Sequence, residues 1–231
     1  MILLSRRFPL SQTRRVVVGF ATSLTLRFWI GVIKVHGVVG ACSPPHLVLP
    51  LTVEPTKPCL CHDERFLNLW TRDLPFKLDH LPDLPRYVLP GHFQTTFDDK
   101  NEYQHLKIHP DSQEFFSFSW RDYYFSFCTL PFGWKASAFL YHNFGLVVTS
   151  AARSLGVPVS QYIDDRLVGQ LFSSGLTVYQ PCSQLALAAA FILLSLLVSA
   201  GYFIISLRVH QCRPHLLGSC VLFPIPFCKL F

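Results

Sequence analysis

Carboxylates are missing from both ends of this chain. No Asp or Glu occurs before Glu54 or after Asp165, so all 14 acids lie between those two positions. Carboxylate chemistry is confined to that stretch, and the flanks are basic, polar or apolar. Charge of either sign is scarce: 15% of the 231 residues are charged and 50% are hydrophobic, enough for a sizeable core in one large domain or two small ones. No CxxC pair occurs among the eight cysteines, which excludes a zinc ribbon. Cys59, Cys61 and His62 lie close together, but one residue between cysteines is a poor chelate spacing for a tetrahedral site. They read as reduced thiols on a strand. No internal repeat is visible, which sets solenoid architectures aside.

What is present is an excess of positive charge, formally +6, which favours nucleic acid or anionic lipid as a partner. Two stretches have membrane character. Near the start, Arg6, Arg7, Arg14 and Arg15 precede an apolar run, but no small-residue cleavage site follows, so a signal peptide is not expected. Residues 185–207, "LALAAAFILLSLLVSAGYFIISL", form 23 uncharged residues, long enough for a transmembrane helix. The competing reading is a buried helix that stops near Gly201, followed by a β-favouring strand.

The remaining pattern mixes strands with helices and implies an α+β fold. "HLVLPLTV" reads as a strand in which Pro50 marks an edge or a bulge. "LPDLPRYVLPGHF" is a proline-rich connection. "EFFSFSWRDYYFSFCTL" alternates aromatic and polar residues about a tight centre, which predicts a hairpin. "PFGWKASAF" opens on turn residues and continues as a helix. "VSQYIDDRLVGQL" predicts strand, tight turn, strand, with Asp164 and Asp165 at the tip. Asp98 and Asp99 end another strand. Convergence of those strands would gather three or four carboxylates, which need a counter-cation. Hard oxygen ligands with open positions suit Mg²⁺, and two such ions would activate a hydroxyl and stabilise a leaving pyrophosphate. Each Asp pair taken singly is also consistent with a solvated turn.

"KPCLCHD", "FDDKNEYQHL", "LPFGWKASAF" and "YIDD" occur in that order. Together they resemble the fingers motif and motifs A, B and C of reverse transcriptases. "PLTVEPTKPCLCHDERFLNLW", "DLPRYV" and "YIDDRLVGQL" are most similar to retrotransposons of the DIRS type, which carry a tyrosine recombinase. The resemblance runs from about Gly31 to about Val221. It implies the fingers and palm of a right-hand polymerase, with an antiparallel palm sheet backed by helices. The implied division is an unassigned segment at 1–30, fingers at 31–84 and 106–136, palm at 85–105 and 137–220, and a truncated tail at 221–231. It also implies a palm helix at 183–200 followed by a strand at 202–209, and favours the cytoplasm or nucleus over a membrane.

The implied activity is RNA-directed DNA polymerisation on an RNA or DNA template with primer, from deoxynucleoside triphosphates, with two Mg²⁺ ions or Mn²⁺ in their place. By resemblance Asp98, Asp164 and Asp165 are the catalytic metal ligands. Asp99 stands where the backbone, not the side chain, faces the metal. Asn101 and Glu102 stand where amides hold the triphosphate, and Tyr103 on the steric gate against a ribose 2′-hydroxyl. Phe132 and Gly133 form the turn under nucleotide and template. Arg208 takes the place of the lysine that protonates pyrophosphate, and Leu217 with Gly218 opens the primer grip.

Three positions depart from the family pattern. Cys59 replaces the arginine of the fingers motif, and a thiol supplies neither the charge nor the fork of donors. Glu102 adds negative charge where a small residue is usual. Arg208 replaces lysine and is a poor proton donor. These departures favour a decayed copy. Two other readings stand beside the enzyme: an inactive nucleic-acid-binding remnant, and a membrane protein anchored by residues 185–207.

Overall fold

A computed structural model describes residues 21–53, 60–79, 82–83, 89, 91–171, 183–202, 204–214 and 220–224. The basic run at residues 1–20, Cys59, Leu217 and Gly218 lie outside the described residues. The elements in chain order are α1 (residues 21–29), β1 (Ile33–Val38), β2 (Leu51–Val53), β3 (Leu60–His62), α2 (Arg65–Trp70) and β4 (Phe93–Asp99). Then come β5 (Ser117–Trp120), β6 (Tyr123–Phe127), α3 (Lys135–Ser154), β7 (Val159–Tyr162), β8 (Asp165–Gly169), α4 (Ser183–Ser199), β9 (Ile204–Pro214) and β10 (Cys220–Pro224). The architecture is mixed α and β, with antiparallel sheets. The chain divides into two compact units, one of residues 1–74 and 103–137 and one of residues 75–102 and 138–231.

In the first unit, β1, β6 and β5 form an antiparallel sheet in that order, and β2 pairs with β3. The aromatic alternation in "FSFSWRDYYFSF" makes the β5–β6 hairpin, closed by the pair Trp120 and Tyr123. Arg121 in its loop takes a positive φ of 52°. Phe116, Phe118 and Phe127 are buried with Ile33 and Leu51. His62 is buried among them, its ring 5.2 Å from that of Phe127. Its Nδ1 lies 2.7 Å from Oε1 of Glu64, which is also buried. His62 is therefore part of the core of this unit.

In the second unit, five strands run in the order β10, β9, β4, β8, β7, all antiparallel. Successive strand residues face opposite sides, and the register divides this sheet cleanly. One face carries Thr95, Phe97 and Asp99 of β4, Arg166 and Val168 of β8, and Val159 and Gln161 of β7, all buried. α4 packs against β4 and β8. Its spacing shows how: Ala186, Ala189, Ala190, Leu193 and Leu197 recur at helical intervals and are the buried residues of the helix. Small residues early in the helix allow close approach to the sheet. Burial of a leucine such as Leu193 stabilises the unit by about 1.5–3 kcal/mol.

The uncharged run at 185–207 does not form one helix. α4 ends at Ser199, and Gly201 adopts the left-handed φ of +82°. The amide of Gly201 donates to the Val198 carbonyl, and that of Tyr202 to the Leu197 carbonyl. That pair of bonds is a Schellman termination, which glycine makes without Cβ strain. The chain then turns into β9. No helix among the described residues is long and apolar enough to cross a membrane. The membrane-anchor reading of residues 185–207 is therefore corrected: one glycine splits a run whose hydropathy alone suffices for a span.

Candidate active site

The exposed end of the five-stranded sheet is built by two local events. β4 ends on Asp98 and Asp99, with its register against β9 shifting between them. β7 and β8 are joined by a two-residue turn, Ile163 and Asp164, closed by the pair Tyr162 and Asp165. Ile163 has a φ of 53°, a costly conformation for a β-branched residue. Its carbonyl accepts from the Gln161 side-chain amide, which also reaches the His142 carbonyl. The turn is thus held from inside the fold.

The register does the rest. Asp98 is the direct cross-strand partner of Asp165, with Asp164 next in the turn. Glu102 follows β4 at the start of a short 3₁₀ turn, Glu102–His105. The carboxyls of Glu102, Asp164 and Asp165 are all held above the usual carboxylate range. Burial is the first cause in each case. Neighbouring carboxylates add to it: Asp164 and Asp98 for Glu102, Asp98 and Asp99 for Asp164, Asp164 and Asp98 for Asp165. Arg166 partly offsets the effect at Asp164. Burial and the neighbouring carboxylates both penalise the charged forms, a cost that a bound cation would offset.

The donors are hard oxygens, which fits a divalent ion completed by water and phosphate. Among the described residues, no three such side chains are grouped closely enough to hold an ion by themselves. The arrangement is an open edge of donors on adjacent strands, not a closed cage.

The other sequence candidates fall as follows. Asn101 lies in the exposed turn after β4 with a φ of 52°. Asp99 has its side chain on the buried face, away from Asp98. Arg208 of β9 pairs in register with Thr96, two residues before Asp98, and is exposed. In the first unit, the ring of Tyr103 meets that of Phe132 edge-on at 4.8 Å. Gly133 adopts a φ of +96°, and a Cβ there would stand 3.1 Å from the His62 carbonyl oxygen.

Two features escaped sequence reading. Asn68 of α2 donates to the Gly133 carbonyl at 2.8 Å and accepts the Lys135 amide at 2.9 Å, so it ties the turn to the start of α3. Arg166 follows Asp165 directly, and strand alternation puts it on the opposite face. It is wholly buried and ion-paired with Asp99.

No family profile matches this chain, and no curated protein does. Solved structures do. A prototype foamy virus protease-reverse transcriptase (selenomethionine-labelled mutant) superposes with a TM-score of 0.64 at 17% identity, covering 86% of this chain and 24% of that one. A foamy viral protease-reverse transcriptase in complex with double-stranded DNA gives 0.60 at 19% identity, covering 80% and 35%. The fold is reverse transcriptase-like. This chain spans about a quarter to a third of the length of those neighbours, and at such identity the likeness speaks for the fold alone.

Proposed function

We propose that this chain is the fingers and palm of an RNA-directed DNA polymerase, of the DIRS retrotransposon type. The first unit acts as fingers and the second as palm. The observation that carries the reading is the register of Asp98 against Asp165, with Asp164 in the adjoining turn, on a sheet of reverse transcriptase-like fold. Asp98, Asp164 and Asp165 would hold the divalent ions. Mg²⁺ bound there would lower the pKa of a primer 3′-hydroxyl and stabilise the pyrophosphate leaving group.

The chain's own residues supply the rest. The clustered carboxylates of Asp98, Asp164 and Asp165 favour a bound cation that offsets their repulsion. Tyr103, backed edge-on by Phe132, offers a flat surface to a deoxyribose and a clash to a ribose. Gly133 leaves its turn without a side chain, and Asn68 holds that turn in place. Arg208, on the same face of the sheet as Asp98 and exposed, offers a fixed positive charge to departing phosphate, though not a proton.

A second reading has one observation in its favour. Glu102 adds a fourth acid coupled to Asp164 and Asp98, and it would repel a triphosphate. With Cys59 in place of arginine, it favours a nucleic-acid-binding remnant with little polymerase activity. The test is primer extension on RNA and DNA templates with Mg²⁺ or Mn²⁺. Extension lost in Asp98→Asn supports the enzyme. Tight primer–template binding without extension, even after Cys59→Arg and Glu102→Gly, supports the remnant.

A further inference from the structure

The buried face of the sheet holds an ionic cluster that the proposed chemistry does not use. Arg166 donates from Nη1 to Oδ2 of Asp99 at 2.6 Å, and both side chains are wholly buried. The Tyr141 hydroxyl of α3 donates to the same oxygen, also at 2.6 Å. The guanidinium lies 5.0 Å from the centre of the Tyr202 ring, a cation–π distance. Gly145 of α3 keeps the space open: a Cβ there would stand 3.0 Å from Nη2 of Arg166. Oδ1 of Asp99 is buried without a hydrogen-bond partner among the described residues.

A buried pair of this kind is weak evidence for stability. Desolvation offsets much of the attraction, and apolar pairs of similar size do as well or better. Its placement is the informative part. Asp99 follows Asp98 directly, and Arg166 follows Asp165 directly. The two members are diagonal neighbours across the β4–β8 ladder, since Arg166 stands opposite Phe97. Only a long side chain spans that diagonal. A slip of β8 along β4 by one residue would reverse the faces, and a slip of two that set Arg166 opposite Thr95 would carry it out of reach of Asp99. Either would remove Asp165 from its place opposite Asp98. The contact lies within one residue of both carboxylates, where the β4–β9 register is already irregular.

We propose that Asp99 and Arg166 are positioning residues for the divalent-ion site. Their ion pair, with Tyr141 as its third member, fixes where the Asp98 and Asp165 carboxylates stand relative to each other. The proposal rests on the polymerase reading, in which those carboxylates bind metal.

The test is Mn²⁺ binding to the full chain, followed by the loss of free-ion electron paramagnetic resonance signal, alongside thermal unfolding. The informative variant is Asp99→Leu/Arg166→Leu, which leaves no unpaired charge behind. It should unfold at or above the wild-type temperature yet bind Mn²⁺ about tenfold more weakly, with faster amide exchange over residues 163–167. Tyr141→Phe, a milder change should the double variant not fold, should weaken binding two- to threefold. Wild-type affinity in both variants would overturn the positioning role while leaving the polymerase reading intact. Absence in the wild type of any Mn²⁺ binding that Asp98→Asn removes would overturn the polymerase reading and the proposal with it.

Discussion

Replacing Asp165 with Asn should make the metal-free protein more stable and, on the polymerase reading, abolish its primer extension. Asp98 and Asp165 are opposed in the ladder, which sets their Cβ atoms roughly 5 Å apart. Two like charges at roughly that distance repel by about 0.8 kcal/mol in bulk water and about 3 kcal/mol at an effective dielectric of about 20. Asp165 is exposed, so solvent screening puts the gain near the lower end, about 1 kcal/mol. For a chain of this size that corresponds to a rise of about 2–4 °C in Tm. The assay is thermal unfolding at pH 7.5 with a chelator present, at low salt and at 1 M NaCl. The rise should shrink in high salt, where the Debye length falls to about 3 Å. Primer extension by the same variant should be lost. A lowered Tm, or a rise indifferent to salt, would refute the argument that these carboxylates repel one another in the free protein.

Four further outcomes are expected. Because the folded state raises the carboxyls of Glu102, Asp164 and Asp165, it holds protons more tightly than the unfolded chain, and metal-free stability should fall as pH rises from about 4 through those raised values. On the polymerase reading Mg²⁺ would bind the ionised form, so any Tm increase it produces should be larger at pH 7.5 than at pH 5; equal increases would contradict the assignment. Leu193→Ala removes a wholly buried side chain of α4 and should cost about 2–5 kcal/mol in chemical denaturation. Gly145→Ala would set a Cβ 2.4 Å from Nε2 of Gln161, whose amide is already committed to the His142 and Ile163 carbonyls. Such overpacking should cost about 1–3 kcal/mol, and a neutral result would show that Gln161 swings aside freely.

Much of this was written into local sequence. Alternation of aromatic and polar residues about Arg121 marks the β5–β6 hairpin, because a strand has a period of two and the turn is short. "YIDD" between apolar runs marks β7, its turn and β8 for the same reason. Gly201 marks the end of α4, since only glycine takes that left-handed position without strain. Hydropathy could not decide between a span and a packed helix, because a lipid tail and the Phe97–Val168 face of a sheet ask for the same residues. The register was beyond local reading. Nothing near Asp98 says that Asp165 will stand opposite it, since that pairing depends on which faces of β4 and β8 the helices bury. Asp99 and Arg166 show the limit most plainly. In sequence each is a second charge beside a candidate ligand. Only the alternation of two paired strands, with α3 and Tyr202 closing over them, turned both inward and made them partners.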